Sequence, residues 1–181
     1  MRDGIALFKL PFYYLRHGET ESNRAQVVAG SRDVDLTPLG RSQALAAAAA
    51  LAHLPITAIY SSPLTRARET AEPIARRLGL PVAIIPGIAE RAWGALEGQP
   101  QTARVRGVTP EGAESAEDFR MRVLTGMAQI HAEVPLIVAH SGVFRVLCRT
   151  LELTETAAPV TNALPLRFAP LSTGGWSMEA A

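Results

Sequence analysis

Short apolar runs alternate with longer segments of helical periodicity along this chain of 181 residues. Each run is bounded by proline, glycine or polar residues, a pattern that favours a buried β-strand over a helix. The predicted strands cover residues 12–15, 58–61, 82–85, 136–139, 164–169 and 176–178. The last two strands are separated by Gly174-Gly175, which predicts a turn between them.

The segments between these runs carry start signals for helices. Thr37-Pro38 offers an N-cap followed by proline in the first turn, and Ser62-Pro63 repeats that arrangement. Ser115 and Asp118 stand at the spacing of a capping box. The predicted helices cover residues 38–54, 63–78, 115–131 and 141–151. Residues 86–112 contain scattered glycine and proline, so we expect irregular structure there.

Strands that alternate with helices predict an α/β fold with a mostly parallel sheet. Such a sheet is covered by helices on both faces, which gives three layers. No internal repeat or linker divides the sequence, so we expect one domain over residues 1–181. In folds of this kind, ligands bind beyond the carboxyl ends of the strands.

Composition and charge exclude several classes of function. The formal net charge is only +1, and no basic tract suggests binding to nucleic acid. No apolar run approaches the roughly 20 residues of a membrane span, so no membrane partner is expected. Cys148 is the single cysteine, which rules out an internal disulfide and fits a reducing, cytoplasmic location.

Two of the predicted strands end in histidine at the same edge of the sheet. Arg16-His17-Gly18 follows the first strand, and His140-Ser141 follows the fourth, while a third strand leads into a helix that carries Arg66. Arginine presents a planar fork of donors that fits phosphate, and neutral imidazole has a nucleophilic nitrogen. Gly18 allows close approach of the backbone to a ligand. Because helix N-termini also favour anions, the sequence predicts a site for a dianion such as phosphate.

Five short motifs follow one another along the chain. They are Arg16-His17-Gly18, the run 61–67, the acidic loop with Glu90, Gly94, Glu97 and Gly98, the run 112–115, and His140-Ser141-Gly142. In this order they resemble the histidine phosphatase superfamily, the phosphoglycerate mutase-like proteins. With Asn162 and the Trp176 hairpin, the resemblance extends over residues 13–178 and implies the phosphoglycerate mutase-like fold.

The resemblance also implies a role for each matching residue. His17 would be the nucleophile that becomes phosphohistidine, and Glu90 would protonate the leaving oxygen and then act as base on water. The phosphoryl oxygens would be bound by Arg16, Arg66 and His140. Further substrate contacts would come from Thr20, Asn23, Arg91 and Ser141. No cofactor is implied, and the four histidines lack metal-ligand spacing, so we expect no metal site.

The segment around Glu90 bears on whether the reaction is hydrolysis or isomerisation. Glu90-Arg91 and Gly94-Ala95-Leu96 resemble the cofactor-dependent phosphoglycerate mutases, whose matching arginine helps hold the carboxylate of the substrate. Those mutases carry a much longer insert where this chain has only residues 99–114. A mutase must keep water from its intermediate, so the short segment favours a phosphatase for small phosphorylated metabolites. The alternatives are a cofactor-dependent mutase and a non-catalytic phosphate-binding module on the same fold.

Overall fold

A six-stranded sheet forms the centre of the computed structural model, which describes residues 6–153 and 160–181. The strands are β1 (Phe12–Arg16), β2 (Ala58–Ser61), β3 (Val82–Ile84), β4 (Pro135–Ala139), β5 (Leu166–Pro170) and β6 (Trp176–Ala180). Their order is β3-β2-β4-β1-β5-β6. Strands β1 to β4 pair in parallel, whereas β5 pairs in antiparallel fashion with both β1 and β6. The predicted α/β fold with a mostly parallel sheet is confirmed.

Side chains that alternate along β1 divide the core into two layers. The helices are α1 (Glu21–Arg24), α2 (Pro38–Leu51), α3 (Thr65–Leu78), α4 (Ala116–Met127) and α5 (Ser141–Thr150). Phe12 and Tyr14 pack against α4 and α5, whereas Tyr13 and Leu15 pack against α2 and α3. Full burial of each such side chain stabilises the fold by about 1.5–3 kcal/mol. The sheet is therefore covered on both faces, as the sequence predicted.

Helix α3 begins at Thr65, two residues later than predicted. The Ser62 hydroxyl does not cap this helix; it accepts a hydrogen bond from the Leu64 backbone N–H at 3.2 Å. The Asp33 carboxylate instead accepts from the backbone N–H of Thr65 at 2.7 Å and from its hydroxyl at 2.9 Å. A distant loop therefore supplies the cap, which the local sequence around residue 63 does not reveal.

The other long helices begin where the capping signals predict. The hydroxyls of Thr37 and Ser115 accept backbone hydrogen bonds at the starts of α2 and α4. Both helices end earlier than predicted, at Leu51 and Met127, because the chain then tightens into turns of the i to i+3 type. Within the described residues, no helix combines the length and the apolar character needed to cross a bilayer.

The carboxyl ends of three parallel strands lie side by side at one edge of the sheet. His17 follows β1, Ser62 follows β2 and His140 follows β4. Backbone hydrogen bonds fix this arrangement, since the His17 N–H donates to Ala139 at 3.0 Å and the Ser62 N–H donates to Val138 at 3.0 Å. The sheet thus brings the two histidine motifs together.

Candidate active site

His17 is buried at the end of β1, and only 5% of its surface is exposed. Its Nδ1 lies 2.7 Å from the carbonyl oxygen of Gly18. A carbonyl can only accept, so Nδ1 carries the proton and Nε2 keeps its lone pair. Burial, followed by the charges of Arg66 and Arg16, holds the pKa of His17 well below its ordinary value. The imidazole is therefore neutral and has the tautomer that a nucleophile requires.

Gly18 packs directly against the backbone of Gly40 in helix α2. A methyl group on Gly18 would lie 2.5 Å from the carbonyl oxygen of Gly40. The Gly18 N–H donates to the Thr70 hydroxyl at 2.9 Å. The glycine therefore permits close packing of the chain against α2, and the close approach to a ligand that the sequence suggested stays a prediction.

His140 is fully buried at the N-cap of α5, and its ring centroid lies 5.2 Å from that of His17. Its Nε2 lies 2.7 Å from the Ser62 hydroxyl. Burial, followed by the charges of Arg66 and His17, lowers the pKa of His140 well below its ordinary value. Sequence reasoning did not assign Ser62 to the site, although it lies within the run 61–67.

Arg16 and Arg66 reach the same edge of the sheet from β1 and from the first turn of α3. Arg16 donates to the carbonyl of Val160 at 2.8 Å. Arg66 is 1% exposed and donates to the carbonyls of Arg32 and Gly30, both at 2.8 Å. Backbone carbonyls thus fix both guanidiniums without neutralising them. The two charges remain available to an anion.

Four buried side-chain atoms of the described residues lack a hydrogen-bond partner. They are Arg16 Nε, Arg66 Nε, Arg104 Nε and His140 Nδ1. The three arginines line one cavity with His17, and the His140 ring lies beside the His17 ring. The three arginine Nε atoms are donors, whereas the role of His140 Nδ1 depends on its tautomer. An unpaired buried donor costs about 1–3 kcal/mol, so three of them around one cavity indicate a ligand that accepts hydrogen bonds.

Glu90 is held by backbone donors at the N-terminus of α5. One carboxylate oxygen accepts from the Arg91 N–H at 2.8 Å, and the other accepts from the Gly142 N–H at 3.0 Å. The Ser141 hydroxyl lies 3.5 Å from the second oxygen. A methyl group at position 142 would overlap the carboxylate, so a larger residue there would displace Glu90 from this position. Glu90 lines the same cavity as His17.

Arg122 on α4 supports the loop that carries Glu90. It donates to the carbonyls of Gly87 at 2.9 Å and Ala89 at 3.1 Å, and it forms an ion pair with Glu114 at 2.8 Å. Sequence reasoning missed Arg122 because its carbonyl partners lie more than 30 residues away along the chain. Nothing in its local sequence distinguishes it from a surface arginine.

Thr20 and Asn23 were both predicted as accessory substrate contacts, but in the structure only Asn23 lines the cavity. Thr20 is fully buried, does not line the cavity, and donates through its hydroxyl and its N–H to Asn23 Oδ1 at 3.1 Å. Asn162 donates to the same oxygen at 3.2 Å and to the His17 carbonyl at 2.8 Å. Asn23 lines the cavity, whereas Thr20 caps α1.

The cavity beside His17 has a volume of about 320 Å³. Arg91 and Ser141 line it, as the sequence suggested; the Arg91 guanidinium lies 4.4 Å from the ring centroid of Trp93. The charged lining consists of Glu90 and the guanidiniums of Arg16, Arg66, Arg91, Arg104, Arg120, Arg145 and Arg149. The last four were not predicted. Within residues 6–153 and 160–181, no cluster of His, Cys, Asp or Glu could hold a metal ion.

The comparison with protein families agrees with this geometry. The family model of the histidine phosphatase superfamily (branch 1) matches residues 12–164, which include His17, Arg66, Glu90 and His140. The chain belongs to the histidine phosphatase superfamily. The resemblance seen in the sequence motifs is thereby confirmed.

Individual relatives of this superfamily member include both phosphatases and a mutase. The uncharacterized phosphatase PhoE of Bacillus subtilis is 33% identical over 141 residues, covering 74% of this chain and 72% of that protein. The probable phosphoglycerate mutase GpmB of Escherichia fergusonii is 31% identical over 153 residues, covering 83% and 67%. Longer relatives exist, and the chain spans only 39% to 50% of their length.

A solved structure shows the same fold over almost the whole chain. Mycobacterial glucosyl-3-phosphoglycerate phosphatase complexed with VO3 superposes with a TM-score of 0.79 at 26% identity. The match covers 94% of this chain and 98% of that protein. The chain therefore has a phosphoglycerate mutase-like fold.

Proposed function

We propose that this chain hydrolyses small phosphomonoesters through a phosphohistidine formed on His17. The observation that carries the proposal is the group of buried, unpartnered donors around a histidine whose tautomer leaves Nε2 free. A dianionic phosphoryl group beside His17 accepts hydrogen bonds from Arg16 and Arg66, and their positive charge offsets the negative charge that develops during transfer.

In the first step, His17 Nε2 attacks phosphorus and forms a nitrogen–phosphorus bond as the ester oxygen–phosphorus bond breaks. Arg16, Arg66 and His140 hold the phosphoryl oxygens in place. Protonated Glu90 donates its proton to the departing oxygen, which leaves as a neutral alcohol. Asn23 and Ser141 lie on the cavity wall, where we assign them to substrate contacts.

In the second step, water attacks the phosphorus of phosphohistidine. Glu90, now ionised, takes the proton from this water, and the nitrogen–phosphorus bond breaks. Phosphate leaves, and His17 returns to its neutral form with the proton still on Nδ1. The low pKa of His17 favours this form at physiological pH.

This mechanism predicts an acid-labile, base-stable phosphate on His17 during turnover. Enzyme quenched during hydrolysis of a phosphomonoester should carry it, and peptide mapping should place it on residue 17. His17→Ala should lower kcat by about 10³-fold or more because the nucleophile is lost. His131→Ala, a change at an exposed histidine, serves as the matched control. Undiminished turnover by His17→Ala would rule out the mechanism.

Cofactor-dependent mutase activity is the second candidate, because Arg91 lines the cavity and a relative is named a probable mutase. The segment 99–114 supplies only Gln101 and Arg104 to the cavity wall. A wall with so few covering side chains admits water to phosphohistidine, which favours hydrolysis.

The balance between the two reactions is measured with one substrate. We expect 3-phosphoglycerate, supplied with and without its 2,3-bisphosphate cofactor, to release phosphate faster than it forms 2-phosphoglycerate. Arg91→Gln should raise the KM for this carboxylate-bearing substrate more than for an uncharged alkyl phosphate. Cofactor-dependent isomerisation that outpaces phosphate release would favour the mutase.

A further inference from the structure

The cavity beside His17 holds more positive charge than one phosphoryl group requires. Arg16 and Arg66 serve that group in the proposed mechanism, and Arg120 is neutralised by Glu117 through bonds of 2.7 and 3.0 Å. Arg91 donates to the carbonyl of Glu114 and keeps its charge, but it is already the candidate contact for a substrate carboxylate. Three guanidiniums remain on the wall, and no carboxylate of the described residues forms an ion pair with them: Arg104, Arg145 and Arg149.

Two of these guanidiniums project from one face of α5. Ser141, Arg145 and Arg149 are spaced four residues apart, so they lie above one another on the helix, and all three line the cavity. Like charges at this spacing destabilise a helix. Each step of four residues along α5 takes these positions further from His140 at the helix N-terminus. The two arginines therefore line the cavity wall at increasing distance from the reaction centre.

Arg104 approaches the same region from the loop that follows Trp93. Its Nε is buried without a partner, and its guanidinium lies 4.5 Å from the Trp93 ring centroid. Burial lowers the pKa of Arg104, and the charges of Arg145 and Arg91 lower it further, against the opposite influence of Glu90. Arg104 and Arg145 line the same cavity, and their like charges repel each other when it holds no anion.

We propose that Arg104, Arg145 and Arg149 form a second anion subsite that binds a second phosphate of the substrate. The inference rests on the proposed phosphatase function and specifies its substrate class as bisphosphates. Several guanidinium forks suit a phosphate dianion, which offers more oxygens and more charge than a carboxylate.

The position of this subsite sets the length of the substrate. The Cα atoms of Arg145 and Arg149 lie about 8 Å and about 14 Å from that of His140 along the helix axis, at a rise of roughly 1.5 Å per residue. The lining of the same cavity also includes the apolar side chains of Val27, Phe119 and Val146. The substrate therefore carries its phosphates at opposite ends of a carbon skeleton longer than that of phosphoglycerate.

Synthetic esters of matched skeleton test the subsite. We expect hexane-1,6-diyl bisphosphate to exceed hexyl phosphate in kcat/KM by about tenfold or more, beyond the twofold expected from its two equivalent ends. Propane-1,3-diyl bisphosphate, which is too short to reach both positions, should show little advantage. The carboxylate analogue, 6-phosphonooxyhexanoate, should fall between the bisphosphate and hexyl phosphate.

Removal of the α5 charges should abolish this selectivity. In Arg145→Gln/Arg149→Gln, the ratio of kcat/KM between the six-carbon bisphosphate and hexyl phosphate should fall to about two. Arg76→Gln/Arg77→Gln on α3 removes the same charge from exposed positions outside the cavity and should leave the ratio unchanged. If this ratio of kcat/KM is the same in the wild type and in the α5 variant, the subsite is overturned. That conclusion holds even if the variant hydrolyses both esters faster or more slowly than the wild type.

A binding measurement separates this inference from the proposed function. Hexane-1,6-bisphosphonate and hexylphosphonate cannot be hydrolysed, and calorimetry reports their affinities without turnover. Tighter binding of the bisphosphonate in wild type, lost in the α5 variant, would support the subsite even if no ester were hydrolysed. Equal affinities would contradict the subsite, whereas hydrolysis of hexyl phosphate would still support the phosphatase.

Discussion

The residue-level feature that decides the chemistry is the protonation state of His17. The Gly18 carbonyl fixes the proton on Nδ1, and the buried guanidiniums of Arg66 and Arg16 disfavour a second proton. A neighbouring positive charge thus has two effects: it keeps the nucleophile neutral and it attracts the phosphoryl group. The sequence motif Arg16-His17-Gly18 identified the pair, but the tautomer depends on a carbonyl direction that only the structure gives.

At the same scale, the geometry of Glu90 leads to a leaving-group test. Glu90→Gln should slow hydrolysis of alkyl phosphates by about 10²–10⁴-fold, because their alkoxides need a proton to depart. Activated aryl phosphates should be affected far less. The comparison of kcat for both ester types measures this difference, with exposed Glu111→Gln as the control. An equal loss on both types would instead assign Glu90 a structural role at the α5 terminus.

At the level of elements, the strands and helix starts were largely predictable because they depend on local pattern. The caps at Thr37 and Ser115 are confirmed by their hydrogen bonds. The start of α3 was predicted wrongly, because the cap comes from Asp33 in a loop 32 residues away. Tertiary contacts of this kind leave no signal in the segment they stabilise.

The same distinction explains what was predictable at the site. Histidines and arginines at strand ends follow from the alternation of strands and helices, since parallel strands present their carboxyl ends at one edge. The cavity arginines on α5 were missed, although their spacing of four residues is visible in the sequence. That spacing is equally typical of a solvent-exposed face, and only the position of α5 beside the cavity distinguishes the two.

Across the whole molecule, an almost balanced net charge conceals a strongly uneven distribution. The chain carries a formal charge of +1, yet seven arginines and one glutamate line a single cavity. Such an arrangement concentrates positive potential at the mouth of the site and attracts anionic substrates, an effect that salt weakens. The overall composition therefore does not reveal the local preference for anions.

The two buried histidines make the stability of the whole fold depend on pH. Burial, with nearby arginine charges, lowers the pKa of His17 and of His140 well below the ordinary 6.5. Below about pH 6.5 both imidazoles therefore bind protons in the unfolded chain but not in the folded chain. The free energy of unfolding consequently falls as the pH falls. The slope is at most about 1.4 kcal/mol per pH unit for each histidine, or about 2.7 for both.

Denaturant unfolding between pH 7.5 and pH 5 measures this slope. His140→Gln should remove about half of the histidine contribution, because glutamine does not titrate, while the exposed His131→Gln should leave the slope unchanged. Comparing slopes rather than absolute stabilities separates titration from the packing cost of either substitution. A slope in His140→Gln equal to that of the wild type would show that His140 accepts a proton in the folded state, and hence that the arginines do not hold it neutral.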